Sequence, residues 1–353
     1  MRIADRMGTI KPYFFAKLGA RIAEMRSQGT DVIRLDMGSP DMPPAQFIVQ
    51  KLQRAADQPD RHGYSPLGGS PDFREAVANY YGHHFGVKLD PQSEVIGLIG
   101  SKEGLFHLSM AFLEVRDVTL VPDPAYPTYA TAGHFAGAEV VPMPLLEEND
   151  FLPDLDAIPS DVLRRAKMLW VNYPNNPTGA CAPLDFFATL VAFARENGVL
   201  ICHDAPYIEI TYDGYRAPSL LQVPGAKEVV VEFNSLSKTY NMAGWRLAMA
   251  CGNAQAVGTL HTLKTNVDSS HFRAMQDGAI AALTGDHGWL EARNATYQER
   301  RDIIVGGLTK AGLPARKPKA AIYIWARARQ GSTSSEFANQ MLEEIGVSVT
   351  PGS

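Results

Sequence analysis

The chain has 353 residues, 45% of them apolar and 20% charged, which is a globular composition long enough for one large or two ordinary domains. With 33 Lys and Arg against 38 Asp and Glu, the formal net charge is −5, and no basic run is long enough to form a stripe for a polyanion, so a nucleic-acid partner is not expected. The three cysteines, Cys181, Cys202 and Cys251, are too few and too scattered for a disulfide framework or a zinc cluster. That usage fits a reducing compartment, and neither a signal peptide nor an apolar run of the ~20 residues that span a membrane is visible. The expectation is a cytoplasmic protein with no membrane partner.

In chain order, residues 1–45 read as an N-terminal arm with a basic-amphipathic helix over roughly Ala16–Gln28, followed by a Gly/Pro loop. From 46 to 284 short apolar runs alternate with helical patterns, the signature of an α/β domain with a mostly parallel central sheet sandwiched by helices. The candidate strands are Val95–Ile99, Val118–Val121, Glu139–Pro142, Met168–Asn172, Val199–His203, Val229–Phe233 and Arg246–Ala250. Between the fourth and fifth, Phe186, Phe187, Leu190, Val191 and Ala194 recur with helical period over Pro183–Asn197, and Gly198 follows as a stop. That predicts a right-handed βαβ crossover. From 285 to 353 helices dominate until Ala321–Ala326 and Val347–Val349, which read as strands. The two ends of the chain are expected to form a smaller α+β domain.

Ligands of open α/β sheets bind beyond the carboxyl ends of the strands. The segments there are Gly100-Ser101-Lys102-Glu103-Gly104, Pro122 to Pro127, Tyr173 to Gly179, Asp204-Ala205-Pro206-Tyr207 and Asn234-Ser235-Leu236-Ser237-Lys238, with Arg246 eight residues on. Each alone is ordinary: Asn-Pro-Thr-Gly is turn chemistry, Ser101 is a plausible helix cap, and Glu103 can pair with Lys102 at the surface. Together they bring an acid, a Lys, an Arg, hydroxyls and an amide to one edge. A Gly/Ser helix start with more hydroxyls and an Arg describes a phosphate site, and neither a P-loop nor a dinucleotide fingerprint is present. A Lys beside it, with an Asp able to hold a pyridinium nitrogen, points to pyridoxal 5′-phosphate. Cys202-His203-Asp204 mimics a nucleophile set, but adjacent strand residues face opposite sides. His83-His84 has no metal-spaced companions, and no metal is expected.

The run Ser235-Leu236-Ser237-Lys238-Thr239-Tyr240-Asn241-Met242-Ala243-Gly244-Trp245-Arg246 resembles the cofactor-lysine motif of the class I/II aminotransferases, fold-type I pyridoxal phosphate enzymes. Asn175-Asn176-Pro177-Thr178-Gly179 and Asp204-Ala205-Pro206-Tyr207 follow that family's order and spacing. The resemblance covers nearly the whole chain. It implies that Lys238 binds the cofactor covalently and then moves the substrate α-proton as general base. It implies that Asp204 keeps the pyridine nitrogen protonated, that Asn176 and Tyr207 hydrogen-bond the ring oxygen, and that Tyr126 stacks on the ring. Ser101, Lys102, Ser235, Ser237 and Arg246 would surround the phosphate, with Tyr64 reaching it from the partner chain of a homodimer with shared active sites. Gly38, in Leu35-Asp36-Met37-Gly38-Ser39-Pro40, is similar to the backbone site near the substrate carboxylate, and Asn176 is placed on the substrate side as well.

The chain ends at Thr350-Pro351-Gly352-Ser353, where the family continues for roughly thirty residues that carry an Arg clamp for the substrate carboxylate, by analogy of motif order. No such Arg is assigned here, and a fragment with apolar surface exposed around Ile322 and Trp325 is the expectation. The leading function is ping-pong transamination between an L-amino acid and a 2-oxo acid. Gly100 to Gly104 and Thr265 to Ser270 are similar to the LL-diaminopimelate aminotransferase-like subgroup, which also holds alanine–glutamate transaminases. The uncharged Ser65-Pro66-Leu67-Gly68-Gly69 stretch speaks against diaminopimelate as the preferred donor. A carbon–sulfur β-lyase is the alternative chemistry, and a non-catalytic sensor domain is remote, since no helix-turn-helix precedes the arm.

Overall fold

The computed structural model describes residues 1–9 and 14–352; part of the N-terminal arm, residues 10–13, and Ser353 lie outside the described residues. In chain order its strands are β1 (Ile33–Arg34), β2 (Val95–Leu98), β3 (Val118–Asp123), β4 (Glu139–Pro144), β5 (Ala166–Val171), β6 (Leu200–Asp204), β7 (Val230–Ser235), β8 (Ala248–Gly252) and β9 (Val347–Ser348). Strands β2 to β8 form one sheet in the order β2-β8-β7-β6-β5-β3-β4. Strand β8 runs antiparallel to β2 and β7, and the other pairings are parallel. All seven strands expected from the apolar runs are there, with ends displaced by one or two residues.

Period-two alternation divides the sheet into two buried faces. Leu169, Val171 and Ile201 pack on one side with Phe73 and Val77 of helix Pro71–Phe85 and with Phe187, Leu190 and Val191 of helix Leu184–Asn197. Met168, Trp170, Cys202, Val231 and Phe233 pack on the other with Leu105 and Leu108 of helix Ser101–Phe112 and Leu260 of helix Ala254–Val267. Covering both faces is what a mostly parallel sheet requires. Helix Leu184–Asn197 ends as expected, with Gly198 left-handed at its C-cap.

The chain divides into two compact units. The sheet belongs to the larger, Pro40–Arg301 with Pro318–Tyr323. The smaller gathers Met1–Ser39, Asp302–Lys317 and Ile324–Ser353. Within it β1 pairs in parallel with β9, and Ile22, Met25 and Val32 pack on Leu342 of helix Ser334–Ile345. Helix Phe14–Ser27 supplies Ile22 and Met25, and Arg21 on it forks onto both oxygens of Glu343 at 2.9 and 2.6 Å.

Two expectations fail here. Ala321–Ala326 is not a strand: Ala321 has φ +64, which breaks an extended run, and only single bridges form at Ala320 and Ala326. Ile322 and Trp325 are half-buried rather than exposed. Ile322 packs beside Tyr207, Ile210 and Tyr297, while the Trp325 ring covers Gly352. Among the described residues no helix is long and apolar enough to cross a membrane.

Candidate active site

Parallel strands leave from one edge, and the order changes direction between β3 and β5, which opens a crevice beyond their carboxyl ends. Asp204 is the last residue of β6 and is 4% exposed. Its Oδ2 accepts from the Tyr129 hydroxyl at 2.7 Å, and its main-chain oxygen accepts from Asn172 Nδ2 at 2.6 Å. Tyr129 is itself held flat against Trp170, with ring centroids 5.0 Å apart and planes 11° from parallel. The other carboxylate oxygen, Oδ1, is buried without a hydrogen-bond partner. Burial pushes the Asp204 carboxyl up to about 6, while the Tyr129 hydroxyl and the neighbouring His203 pull it down.

Lys238 stands on the short helix Leu236–Thr239 directly after β7. Burial, and then the Arg246 guanidinium, push its amine down to about 8. Its backbone is pinned from below by the buried Arg293, whose Nη1 donates to the main-chain oxygens of Lys238, at 3.0 Å, and Thr239. Ser235 caps the same helix, accepting from Ser237 N–H at 3.2 Å. Ser235 and Ser237 are both buried.

Arg246 sits in the left-handed region at φ +56, with Nη1 on the main-chain oxygen of Ala243 at 3.0 Å and its own carbonyl on His271 Nε2 at 2.7 Å. Its guanidinium lies against Gly100, which has φ +76; a methyl there would collide with it. Glycine is therefore required at the entrance to helix Ser101–Phe112, where backbone N–H groups point outward. Tyr126 is half-buried with Lys102 Nζ 6.0 Å from its ring centre, and burial followed by the charge of Asp204 raises its hydroxyl while Arg246 lowers it. Asn176 donates its N–H to Asn172 Oδ1 at 2.7 Å. Tyr207 shares a 2.6 Å hydrogen bond with the hydroxyl of Tyr323.

Thus Ser101, Lys102, Tyr126, Asn176, Asp204, Tyr207, Ser235, Ser237, Lys238 and Arg246 come from separate loops to one edge of the sheet. Tyr64 is instead almost fully exposed, at 96%, and Gly38 belongs to the smaller unit. Glu103 does not pair with Lys102 at the surface. It turns inward to His107 at 2.5 Å and Lys264 at 3.4 Å, and takes the Ile99 N–H at 2.9 Å. Sequence reasoning missed Tyr129, Asn172, Arg293 and Tyr323. Only Asn172, at a strand end, carried a positional signal.

The donor set fits pyridoxal phosphate on this chain's own geometry. Asp204 Oδ1 is a buried acceptor waiting for an N–H, and Gly100, Ser101 and Arg246 make a cationic, N–H-lined cradle that a single Cβ would fill. Comparison with known proteins agrees. The family model for aminotransferase class I and II matches residues 30–353. An LL-diaminopimelate aminotransferase of Moorella thermoacetica is 52% identical over 352 residues, covering 100% of this chain and 90% of the relative. LL-diaminopimelate aminotransferase 2 of Trichormus variabilis is 49% identical, with the same coverage. Among solved structures, substrate-bound BacF of Bacillus subtilis matches with a TM-score of 0.95 at 37% identity over 99% of this chain and 90% of that one. Aspartate aminotransferase of Thermus thermophilus with maleate matches at 0.92 and 31% identity, covering 100% and 92%. The chain belongs to the class I and II aminotransferases and is a pyridoxal phosphate-dependent transaminase.

Proposed function

We propose that this transaminase takes its amino group from LL-diaminopimelate and passes it to a 2-oxo acid, working in the cytoplasm as a homodimer. The observation that carries the donor is the pair of relatives of that name at about half identity across essentially the whole chain. The uncharged Ser65 to Gly69 stretch does not weigh against it, since a distal group can be read by other segments or by a partner chain. The dimer rests on the family resemblance of the Tyr64 segment, and the 96% exposure of Tyr64 leaves it accessible to a second chain.

When bound, the cofactor supplies an electron-withdrawing ring that stabilises negative charge on the substrate α-carbon. Lys238 Nζ would hold it covalently and, once displaced by the substrate's amine, would be the base that takes the α-proton. An amine held at about 8 keeps roughly a tenth of its population neutral near pH 7, far more than an ordinary lysine. Asp204 Oδ1 would accept from the ring nitrogen, and Tyr126 would cover the ring. Asn176 and Tyr207 would orient the ring oxygen. Ser101, Lys102, Ser235, Ser237 and Arg246 would hold the phosphate, joined by Tyr64 of the second chain, and Asn176 would face the substrate carboxylate.

The test supplies the purified protein and pyridoxal phosphate with diaminopimelate, alanine, aspartate or aromatic donors, and follows the oxo product by chromatography. Diaminopimelate is expected to be turned over with the highest kcat/KM. A faster reaction with any of the other donors overturns the substrate assignment and leaves the transaminase standing.

A further inference from the structure

His203 and Asp204 are consecutive on β6, so the pleat sends their side chains to opposite faces. Asp204 faces the crevice. His203 is completely buried on the other face, edge-on to Phe187 with ring centroids 5.1 Å apart. Its two ring nitrogens meet two acceptors. Nε2 lies 3.0 Å from the main-chain oxygen of Tyr173, which can only accept, so Nε2 carries a hydrogen. Nδ1 lies 2.8 Å from Oε2 of Glu232. That carboxyl, also completely buried, is already ringed by donors: Tyr81 and Ser219 hydroxyls give to Oε1 at 2.9 and 2.8 Å, and Leu220 N–H gives to Oε2 at 2.9 Å. Three donors converging on one carboxyl fit its ionised form, which only accepts. Nδ1 must then carry a hydrogen too.

We propose that Glu232 holds His203 as an imidazolium, and that its charge makes it a positioning residue for transamination by keeping Asp204 an anion beside the cofactor's ring nitrogen. Strand register favours this direction of action. Glu232 pairs opposite His203, whereas Asp204 pairs opposite Phe233, so the cation is next to Asp204 and the anion is one strand away. The titratable groups around His203 and its partner are Glu232 on β7, Tyr81 on helix Pro71–Phe85 and Cys251 on β8, with Cys202 and Asp204 next to it on its own strand but on the opposite face. Burial holds the Tyr81 hydroxyl and both thiols well above their ordinary values, so none adds a charge. Within the buried crevice edge, the Tyr129 hydroxyl and the His203 charge are what oppose desolvation of Asp204.

The proposal rests on the assignment of Asp204 to the ring nitrogen, and the experiment separates the two. The chain is labelled with 15N-histidine and 13C-aspartate and followed by NMR from pH about 6 to about 9, with and without pyridoxal phosphate. His203 is assigned through the contacts of its ring with Phe187. Both ring nitrogens are expected to carry a hydrogen at neutral pH. In His203→Gln the Asp204 carboxyl is expected to bind its proton about tenfold more tightly, a change that loss of packing alone does not produce. A ring nitrogen of His203 without a hydrogen at neutral pH overturns the proposal, and that measurement needs no variant to fold. An Asp204 proton affinity unmoved in His203→Gln overturns it as well. Failure of the underlying assignment looks different: Asp204→Asn would keep its hold on pyridoxal phosphate while the His203 signals stay as they were.

Discussion

Two buried carboxylates on neighbouring strands, Asp204 at the end of β6 and Glu232 within β7, have opposite fates. Glu232 receives four donors, from Tyr81, Ser219, Leu220 and His203, and ties the sheet to the helix and loop above it. Asp204 receives one, from Tyr129, and leaves Oδ1 empty. An unfilled buried acceptor costs about 1–3 kcal/mol, and the same group becomes favourable once a ligand donor arrives. Burial alone therefore does not mark a functional acid. What marks it is burial with a valence left over, at the carboxyl edge of the sheet rather than in its body.

The largest effect should come from breaking the satisfied member. Glu232→Ala strands three donors and an imidazolium in the core, and urea unfolding is expected to lose about 3–5 kcal/mol. A loss below about 1 kcal/mol would show that the ring of donors is not structural. Next comes Tyr129→Phe, which removes the one donor Asp204 has within the chain. The expected cost is about 1.5–3 kcal/mol, the range for hydrogen bonds to charged groups, and the Asp204 carboxyl should move further up. Bound pyridoxal phosphate should recover part of that loss, because its ring N–H fills the remaining oxygen. Equal destabilisation with and without the cofactor would place the Tyr129 hydroxyl outside the site.

Only the Asp204 side of this contrast was legible in the sequence. Alternating apolar runs located the strands of the large sheet, because a strand buried on both faces has no other way to be written. Polar residues directly after those runs then fell at one edge, which is why Asp204, Lys238 and Arg246 could be placed together from order alone. Tyr129 and Arg293 could not. Both sit on helices whose pattern gives no reason for one polar atom to turn toward a loop more than 50 residues away in sequence, as the Nη1 of Arg293 does toward Lys238. Glu103 looked like a surface partner for Lys102 because adjacent charges on a helix suggest solvent, yet position 103 faces His107 one turn on and the buried Lys264. In the smaller unit the signal was weaker still. Strand β9 was readable at Val347–Val349, but β1 has two residues, too short for a period to appear, and Ala321 takes a left-handed conformation that an alanine does not advertise.

Asp204→Asn is the smallest change in stability and the sharpest test of the comparison. Asparagine keeps the shape and can still accept from Tyr129, so at neutral pH the unfolding free energy is expected to shift by less than about 1 kcal/mol, in contrast to the loss at Glu232. The difference should appear in the pH profile. Burial pushes the Asp204 carboxyl up from its ordinary 3.8 to about 6 in the folded chain. Between those values the folded state binds the extra proton, so this group favours folding below about 3.8 and that contribution is lost as pH rises through about 6. Comparing wild type with Asp204→Asn by urea unfolding across that window isolates the term: their stability difference should favour the wild type most at the acid end and shrink as pH rises. If the difference is flat, Asp204 titrates like an exposed carboxylate and its empty oxygen is already filled. If it slopes as expected, the acid that transamination needs as an anion is one the fold alone holds only marginally ionised near neutrality, so that cations and donors around it, the imidazolium of His203 among them, decide its state.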